Sequence, residues 1–579
     1  MSQTSPSQRQ QLLTLSRFRA HCRPHTAPPI APGARVRSRA MFAVAARASF
    51  APGATPARVG AAPRRRVDTP RKPVTGASSR AVRARATPDR CLDAAVRRRR
   101  VVSFVVVDEK DDRASASGDA GDDGLPVVMP KSLLGVPGDR VEKVLAQALP
   151  VMGGMASQNV LNLADAAMVG RLGTAAVAAV GLGSTMNFQS QAALQGVASG
   201  VQAMAARRMG EGRMDEVASP LNGALILVLA MGIPMAIAAY TYADVLVPLY
   251  TTDAKVIESA VPYLRARLLA VPAVGMNFAF RGFWNAIQQP HVYMNTLIAM
   301  HTINFSLSLV LTFFGIPALG IPPLGALGAG LGTSFSVWCG TAMYFYQGFK
   351  RATTLGFLQT RPTLTDLRVL ATQALPTSVT NLLYASGMMT LYSIVGRLGT
   401  TEVAAVNVLI NLMLFLILPC MGMGLAAGAL SGRALGRGDI EDAKQWPWDV
   451  AKITAVLMSF VGVLLAMFPR IVLGVFLTDP YAVEMAVTPL RMTGLTVCGD
   501  AVSLTMQNAL LGVGDAKRVA CVSILSQWVL FLPSAYIAVV WFNCNLTVVW
   551  SLYVAYRFVQ GIVYASIWRR GEWSKIRLA

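Results

Sequence analysis

Charged residues are absent from three long stretches of this sequence. Residues 282–349, 403–432 and 519–556 contain no aspartate, glutamate, lysine or arginine. About 20 apolar residues are enough to cross the hydrocarbon core of a bilayer, so each stretch has room for at least one spanning helix. With 53% hydrophobic and 14% charged residues, the composition is typical of a multi-span membrane protein. It excludes an ordinary soluble domain.

Metal-binding and nucleophile motifs are missing as well. The chain has four histidines, and its seven cysteines are scattered without a CxxC pair. Neither a zinc site nor a disulfide framework is therefore indicated. We also find no HExxH motif, no paired histidines and no nucleophile beside a base. We expect a protein that is not an enzyme and that has no cofactor and no catalytic residue.

Basic charge is concentrated at the N-terminus. Residues 1–107 hold 21 Arg and one Lys against three Asp, a surplus of 19 within a net charge of +23. The membrane part is thus close to neutral, which argues against a nucleic-acid partner. An arm rich in Arg, Ala, Pro and Ser, poor in acids and without a long apolar core, is typical of an organellar transit peptide. We expect a plastid envelope protein. A mitochondrial inner membrane or another endomembrane is the alternative location, and a basic tail that stays on the chain is the alternative interpretation of the arm.

The sequence repeats itself at a fixed offset of 226 residues. The segment VGRLGT at 169–174 occurs again at 395–400, and ALP at 148–150 returns at 374–376. Internal repeats are a common basis of transporter folds, in which the binding site lies at the interface of the repeats.

Each half contains six apolar segments. Since an even number of helices separates matching elements, both halves run in the same sense, as parallel repeats about an axis along the membrane normal. The predicted fold class is an all-α membrane protein of twelve transmembrane helices in two six-helix pseudo-symmetric lobes. The predicted helices 1 to 12 are 144–168, 176–206, 218–242, 258–287, 292–314, 323–348, 371–394, 402–432, 449–472, 484–513, 518–541 and 546–568.

Loop charge predicts the orientation. Lysine and arginine cluster after helices 2, 6, 8 and 10 and at the C-terminus, which places both termini on the cytoplasm-like side, the stroma in a plastid envelope. The predicted regions are a disordered transit peptide 1–107, an acidic disordered linker 108–140, an N-lobe 141–350, an inter-lobe loop 351–370, a C-lobe 371–570 and a basic tail 571–579.

Polar residues interrupt the apolar helices of the first half. Such residues are costly in a membrane and usually face a cavity or a partner. Gln158, Asn162 and Asp165 are spaced i, i+4, i+7, which puts them on one face of helix 1. We interpret this stripe and two others as the lining of a hydrated cavity, with hydrogen bonding between helices as the alternative. The other stripes are Asn187, Gln191, Gln195 and Gln202 on helix 2, and His301, Asn304 and Ser308 on helix 5.

The second half does not repeat this pattern. Its acid is Asp500 on helix 10, which shares a face with Gln507 and whose first-half equivalent is Val274. A carboxylate in a cavity of low dielectric can exchange a proton or hold Na⁺, so both acids are candidate ion-coupling sites. Arg557 on helix 12 is either a counter-ion of Asp500 or a residue that snorkels or lines the cavity. The residues equivalent to Gln158, Asn162 and Asp165 are Tyr384, Met388 and Leu391.

Three features resemble the multidrug and toxic compound extrusion (MATE) transporters. They are the 6+6 repeat, the proline and VGRLG pattern of helices 1 and 7 with an acid between them in helix 1, and the turns after helices 4 and 10, which read RGFWNAIQQP at 281–290 and NALLGVGDAK at 508–517. The resemblance covers about 140–570. It implies two lobes around a central cavity, alternating access, and efflux of organic compounds driven by H⁺ or Na⁺. The Arg-rich arm resembles that of plastid members in plants and algae.

The resemblance assigns roles to individual residues. Asp165 and Asn304 match an acid and an asparagine of the N-lobe cation site, and Asp500 matches an acid that some members use for Na⁺. Ser308 stands where many members have an aspartate, and Tyr384 stands where some members have a glutamate. The coupling ion can therefore be either H⁺ or Na⁺. The expected ion-coupling residues are Asp165, Asp500, Asn162 and Asn304, and the expected cavity or substrate-binding residues are Gln158, Gln191, Gln195, His301, Ser308, Tyr384, Gln507 and Arg557.

The expected function is a secondary antiporter that exports small organic compounds, xenobiotics or metabolites, in exchange for H⁺ or Na⁺. A flippase for lipid-linked compounds or metabolites, from the same superfamily, is the alternative. A membrane-embedded enzyme or a channel has less support in the sequence. The expected partners are the organic substrate and the lipid bilayer, and we expect a monomer.

Overall fold

The computed structural model describes residues 132–133, 135–477 and 479–578. The predicted transit peptide 1–107 and most of the linker 108–140 lie outside the described residues. The described chain is helical almost throughout. A short antiparallel pair of strands, β1 (Ser132–Leu133) and β2 (Val136–Pro137), precedes the first long helix.

Twelve long helices, α1 to α12, follow one another in the predicted order. Two of them, α5 and α11, contain a π-helical turn, and α4 is broken into two segments. The first six are α1 Gly138–Gly170, α2 Thr174–Glu211, α3 Ser219–Thr241, α4 Ala254–Leu268 with Val271–Ala286, α5 Pro290–Leu309 with the π turn Val310–Phe314, and α6 Ala326–Arg351. The second six are α7 Leu364–Val395, α8 Thr400–Gly436, α9 Ile440–Met467, α10 Pro480–Gly512, α11 Ala516–Ile524 with the π turn Leu525–Phe531 and Leu532–Val540, and α12 Leu546–Arg570.

Four helices differ most from their predicted bounds. α1 begins at Gly138, α7 at Leu364 and α9 at Ile440, each several residues early. α7 includes a polar first turn because Thr363 and Asp366 form a capping box. The Asp366 N–H donates to Thr363 Oγ1 at 3.0 Å, and the Thr363 N–H donates to Asp366 Oδ2 at 3.1 Å. The predicted continuous helix 258–287 breaks after Leu268, because Pro272 at the start of the next segment has no N–H for the preceding hydrogen-bond ladder.

The hydropathy of the helices is uneven. Six described helices are long and apolar enough, by length and composition alone, to cross a membrane. Polar residues lower the hydropathy of the others, and in α1, α2, α7 and α10 these residues turn toward other helices or toward the space between the lobes. The six apolar helices are Met214–Thr241, Pro290–Phe314, Thr400–Gly436, Ile440–Met467, Ala516–Val540 and Leu546–Arg570.

The two lobes meet where α2 crosses α8. A Cβ added to Gly210 would lie 2.2 Å from the carbonyl oxygen of Arg433, and one added to Gly436 would lie 2.2 Å from that of Arg207. These residues are 226 apart in the repeat, so the contact is reciprocal about a pseudo-twofold axis. Only glycine allows the backbones to approach so closely. The structure thus shows the two pseudo-symmetric six-helix lobes that the sequence predicts.

Candidate functional site

A polar cluster joins α1 to α5 inside the N-lobe. Ser157 Oγ lies 2.9 Å from His301 Nδ1, and His301 Nε2 lies 3.0 Å from Gln158 Oε1. Gln158 Nε2 in turn donates to Asn162 Oδ1 at 3.1 Å. The amide oxygen of Gln158 can only accept, so the imidazole carries a proton on Nε2 and donates it to this oxygen. The structure therefore brings together three predicted cavity residues and adds Ser157, which sequence reasoning missed.

Asp165 lies about one turn farther along the same face of α1. Its Oδ1 atom is buried and has no hydrogen-bond partner among the described residues, and no cation of the described chain lies within 4.0 Å of it. The charge that acts on it electrostatically is Arg267 at the end of the first segment of α4. The Nε atom of Arg267 is itself buried without a partner. A buried carboxylate oxygen without a partner has an unfilled requirement for a proton or a cation.

Asn304 and Ser308 form a separate cluster between α5 and α6. Ser308 Oγ donates to Asn304 Oδ1 at 2.8 Å, and Thr333 Oγ1 donates to the same oxygen at 3.4 Å. Ser308 is fully buried and Asn304 is nearly so, because Gly332 of α6 packs against the backbone of Ser308. The structure therefore places Ser308 in the packed contact between α5 and α6.

The amides of α2 face the space between the lobes. Gln202 donates from Nε2 to the carbonyl oxygen of Leu425 on α8 at 2.9 Å, so this face of α2 points at the C-lobe. Gln191 and Gln195 precede Gln202 by eleven and seven residues, about three and two helical turns, and share that face. Both are half-buried. This position suits residues that line the central cavity.

The matching face of α8 carries two asparagines that sequence reasoning missed. Asn411 Nδ2 donates to the carbonyl oxygen of Asn407 at 2.8 Å and to its Oδ1 at 3.3 Å, and this Oδ1 also accepts from the Tyr392 hydroxyl at 3.1 Å. Asn411 and Asn407 precede Gly422 and Leu425 by eleven and eighteen residues, about three and five turns, and both of those residues contact the N-lobe. The i, i+4 spacing of two asparagines within the charge-free stretch 403–432 was the signal in the sequence.

An ion pair lies inside the C-lobe. Arg557 Nε of α12 donates to Asp500 Oδ1 of α10 at 2.8 Å, and both side chains are about nine-tenths buried. Arg557 Nη1 donates to Gln560 Oε1 at 3.2 Å. Gln560 Nε2 reaches the Tyr564 hydroxyl, which contacts Ser523 Oγ of α11 at 2.6 Å. One polar chain therefore ties together α10, α12 and α11.

The two remaining predicted residues flank this pair. Gln507, two turns after Asp500 on α10, and Tyr384 on α7 are both half-buried. The carbonyl oxygen of Tyr384 accepts from Gln527 Nε2 of α11 at 3.3 Å, so the backbone of α7 is held against the π turn. Ser503 Oγ, between Asp500 and Gln507, is buried without a partner among the described residues.

The lobes close on each other at the end where α1 begins and α12 ends, which we call the inner end. Arg208 of α2 pairs with Asp366 of α7, and Arg140 of α1 pairs with Asp442 and Asp449 of α9 at 2.6 and 3.2 Å. Nearer the middle, the backbone N–H of Gly196 donates to Ser378 Oγ at 3.2 Å, and Ser199 and Gln202 also bond across. Ser219 of α3 also donates to Asp366, and Arg433 of α8 donates to Gln288 Oε1 in the turn after α4. Toward the outer end, the hydrogen bonds and ion pairs between described residues lie within one lobe or the other, so the space between the lobes opens there.

Comparison with known proteins agrees with this architecture. The MatE family model matches residues 150–310 and 376–537, and the two matches begin 226 residues apart. The family model thus recognises each lobe separately and covers more than half of the chain.

This chain belongs to the MATE family. Its members are transporters and not enzymes.

Curated relatives include bacterial proteins described as probable multidrug resistance protein NorM. The protein from Thermotoga maritima is 25% identical over 443 residues, which are 75% of this chain and 93% of the relative. The protein from Pasteurella multocida is 24% identical over 400 residues, 68% of this chain and 85% of the relative.

Solved structures share the fold. A MATE crystal structure in complex with MaL6 superposes with a TM-score of 0.69 at 24% identity, over 75% of this chain and 97% of that one. A multidrug resistance MATE family transporter described as outward-facing gives 0.70 at 23% identity, over 76% and 97%. A MOP superfamily transporter from Pyrococcus furiosus, described as having a binding pocket of reverse polarity, gives 0.67 at 22% identity, over 76% and 97%.

Proposed function

We propose that this MATE transporter is a secondary antiporter that exports small organic compounds by alternating access, in exchange for H⁺ or Na⁺. The relatives described as multidrug resistance proteins support efflux of xenobiotics or metabolites. In the proposed cycle, an ion at Asp165 and the organic substrate favour different arrangements of α1 and of the lobes.

The observation that carries the proposal is the unpartnered Oδ1 of Asp165. It lies on the same face of α1 as the Gln158–Asn162 pair, next to amides that can supply oxygen ligands. Because a bound proton or Na⁺ would remove the cost of a lone buried carboxylate, binding has a local energetic effect. The open outer end gives ion and substrate a common route to this region.

The test uses the full chain in proteoliposomes, with efflux of ethidium, a fluorescent organic cation, under an imposed pH or Na⁺ gradient. We expect one gradient to drive wild-type efflux. We expect Asp165→Asn to lower driven efflux at least tenfold, because a neutral amide takes up no proton and has no negative charge for Na⁺ to balance. Asp244→Asn is the matched control, since Asp244, in the short helix that follows α3, is an exposed acid already paired with Arg265 at 2.5 Å.

Two results would count against antiport. If wild type moves ethidium at the same rate with and without each gradient, the protein is a passive pathway or a flippase. If Asp165→Asn stays fully driven, coupling lies elsewhere. Repeating the assay with rhodamine 6G separates a wrong mechanism from a poor choice of dye.

We further propose that the protein works as a monomer in a plastid envelope. The support for this location is the acid-poor, Arg-rich composition of residues 1–107. A fusion of residues 1–123 to a fluorescent protein should enter plastids in algal or plant cells. Import into mitochondria, or a uniform cytosolic signal, would contradict this location.

A further inference from the structure

The charge inside the C-lobe is already balanced by the chain itself. Arg557 Nε holds Asp500 Oδ1 at 2.8 Å, and a guanidinium remains protonated under all conditions that proteins tolerate. Gln560 holds the Nη1 atom of the same guanidinium at 3.2 Å, and Gln560 is itself bonded to Tyr564. These contacts keep Arg557 beside Asp500 and resist its swinging away.

This pairing makes a mobile ion at Asp500 unfavourable. A proton on Asp500 would leave the buried guanidinium of Arg557 without a counter-charge, which is costly at a site with so little water. A Na⁺ at Asp500 would lie beside a second positive charge. Arg557 also competes with H⁺ or Na⁺ for the Asp500 carboxylate at a high effective concentration, because it belongs to the same folded chain.

The first half of the repeat contains neither member of this pair. Val274 is the equivalent of Asp500, and α6, the counterpart of α12, has no charged residue before Lys350 in its last turn. Conversely, Asp165 has Leu391 as its second-half equivalent and has no cation of the described chain within 4.0 Å. The two acids therefore differ in position, and they also differ in whether the carboxylate is free to bind an ion.

We propose that Arg557 is a built-in cation that occupies the ion position at Asp500, so that the transporter exchanges a single coupling ion per substrate, at Asp165 alone. The proposal rests on the antiport function proposed above and specifies its stoichiometry. Arg557 is then a positioning and specificity-determining residue: its fixed charge withholds Asp500 from ion exchange.

The test measures the number of ions exchanged per ethidium in proteoliposomes. The ion gradient is varied against a fixed ethidium gradient until net flux stops, and the slope gives the ratio. Because this ratio is thermodynamic, a variant that is merely slow does not change it. The chains compared are wild type, Arg557→Gln, Asp500→Asn/Arg557→Gln and Asp165→Asn.

We expect a ratio of one for wild type and one for the double variant, even where the double variant turns over several-fold more slowly. Arg557→Gln frees the Asp500 carboxylate and should raise the ratio toward two. Asp165→Asn should abolish driven flux. Monodisperse elution and the melting temperature of the purified protein show whether each variant is folded.

A wild-type ratio of two overturns the inference, as does a double variant that transports ethidium with a lower ratio than wild type. An Arg557→Gln protein that is driven but keeps a ratio of one shows that Arg557 is not what withholds Asp500. If the double variant does not fold, the wild-type ratio decides. A wild type that responds to neither gradient overturns the proposed antiport, and this inference with it.

Discussion

The N-lobe and the C-lobe share one helical plan but hold their membrane acids differently. In the N-lobe, Asp165 has a buried oxygen without a partner among the described residues, on the same face of α1 as a polar chain from Ser157 through His301 to Gln158. In the C-lobe, Asp500 is bound by Arg557 within a chain that ties three helices together. The repeat provides the same scaffold twice, and the two copies have different interiors.

The difference separates two uses of a polar residue in a membrane. A compensated pair stabilises the lobe that contains it, provided that both members are present. An uncompensated acid destabilises its lobe until an ion arrives, and this makes it responsive to a gradient. We therefore expect the C-lobe to be the more rigid partner and the N-lobe to contain the moving part.

The largest expected effect comes from breaking the compensated pair on one side only. Asp500→Asn leaves the buried guanidinium of Arg557 unpaired, which should cost about 3–5 kcal/mol of unfolding free energy. Asp500→Asn/Arg557→Gln removes both charges and should recover most of that loss. Thermal unfolding of the purified proteins measures both. If the double variant is as unstable as the single one, the two residues do not act as a pair.

The next effect concerns the inner end, where the lobes use opposite charges at equivalent positions. Arg140 and Asp366 are 226 residues apart, and each pairs with the other lobe. Burial alone would raise the pKa of the Asp366 carboxyl, but hydrogen bonds from Thr363 and the charge of Arg208 outweigh it and hold the pKa below the ordinary value of 3.8. Asp366 therefore stabilises inner closure above pH 3.8, and this contribution is lost as the pH falls further.

Asp366→Asn should open the inner end at neutral pH by leaving Arg208 with a weaker partner. In a protein whose seven native cysteines are replaced, a single cysteine at Ser219, which contacts Asp366 at 3.3 Å, reports the opening as faster reaction with a polar maleimide. We expect at least a threefold increase over the same cysteine beside an intact Asp366. Asp253→Asn serves as the control, since Asp253 caps the start of α4, at the outer end of the molecule. Equal reactivity in all three proteins would show that this ion pair does not hold the gate.

A smaller and symmetric effect is expected at the crossing of α2 and α8. Gly210→Ala and Gly436→Ala each place a methyl group against a backbone carbonyl of the other lobe, and overpacking of this kind costs about 1–3 kcal/mol. Because the contact is reciprocal, the two losses of thermal stability should agree. Gly474→Ala is the control, since a Cβ there meets no atom within 4 Å. Unequal losses would show that the lobes do not meet symmetrically.

Sequence reasoning reached the repeat, the twelve helices and the family, because apolar runs and a fixed offset are properties of the chain itself. It also placed Gln158, Asn162 and Asp165 on one face, since helical spacing determines this. It could not show that Asn304 and Ser308 are buried against α6, because whether a polar face is covered depends on the neighbouring helix. Whether Arg557 is a counter-ion of Asp500 or lines the cavity also depends on how α12 packs against α10, which the sequence does not show.

The inner contacts of Arg140, Arg208 and Asp366 were not singled out from the sequence either. Charges near helix ends are common on any membrane protein, and nothing in their spacing shows which lobe supplies the partner. Asn407 and Asn411 did have a signal, an i, i+4 amide pair in a charge-free stretch. The sequence does not show which way this face of α8 points. The structure does, because Gly422 and Leu425 on the same face contact the N-lobe.

The smallest expected effect tests how isolated Asp165 is. Arg267 acts on Asp165 through space without forming an ion pair, so a cation that binds at Asp165 enters a slightly positive surrounding. Arg267→Gln removes that repulsion, and the ion concentration for half-maximal ethidium efflux should fall by about threefold to tenfold, since tenfold corresponds to about 1.4 kcal/mol. Arg265→Gln, two residues away but paired with Asp244, is the matched control. If Arg267→Gln instead raises that concentration, Arg267 assists the ion, and the two lobes are more alike than their contacts indicate.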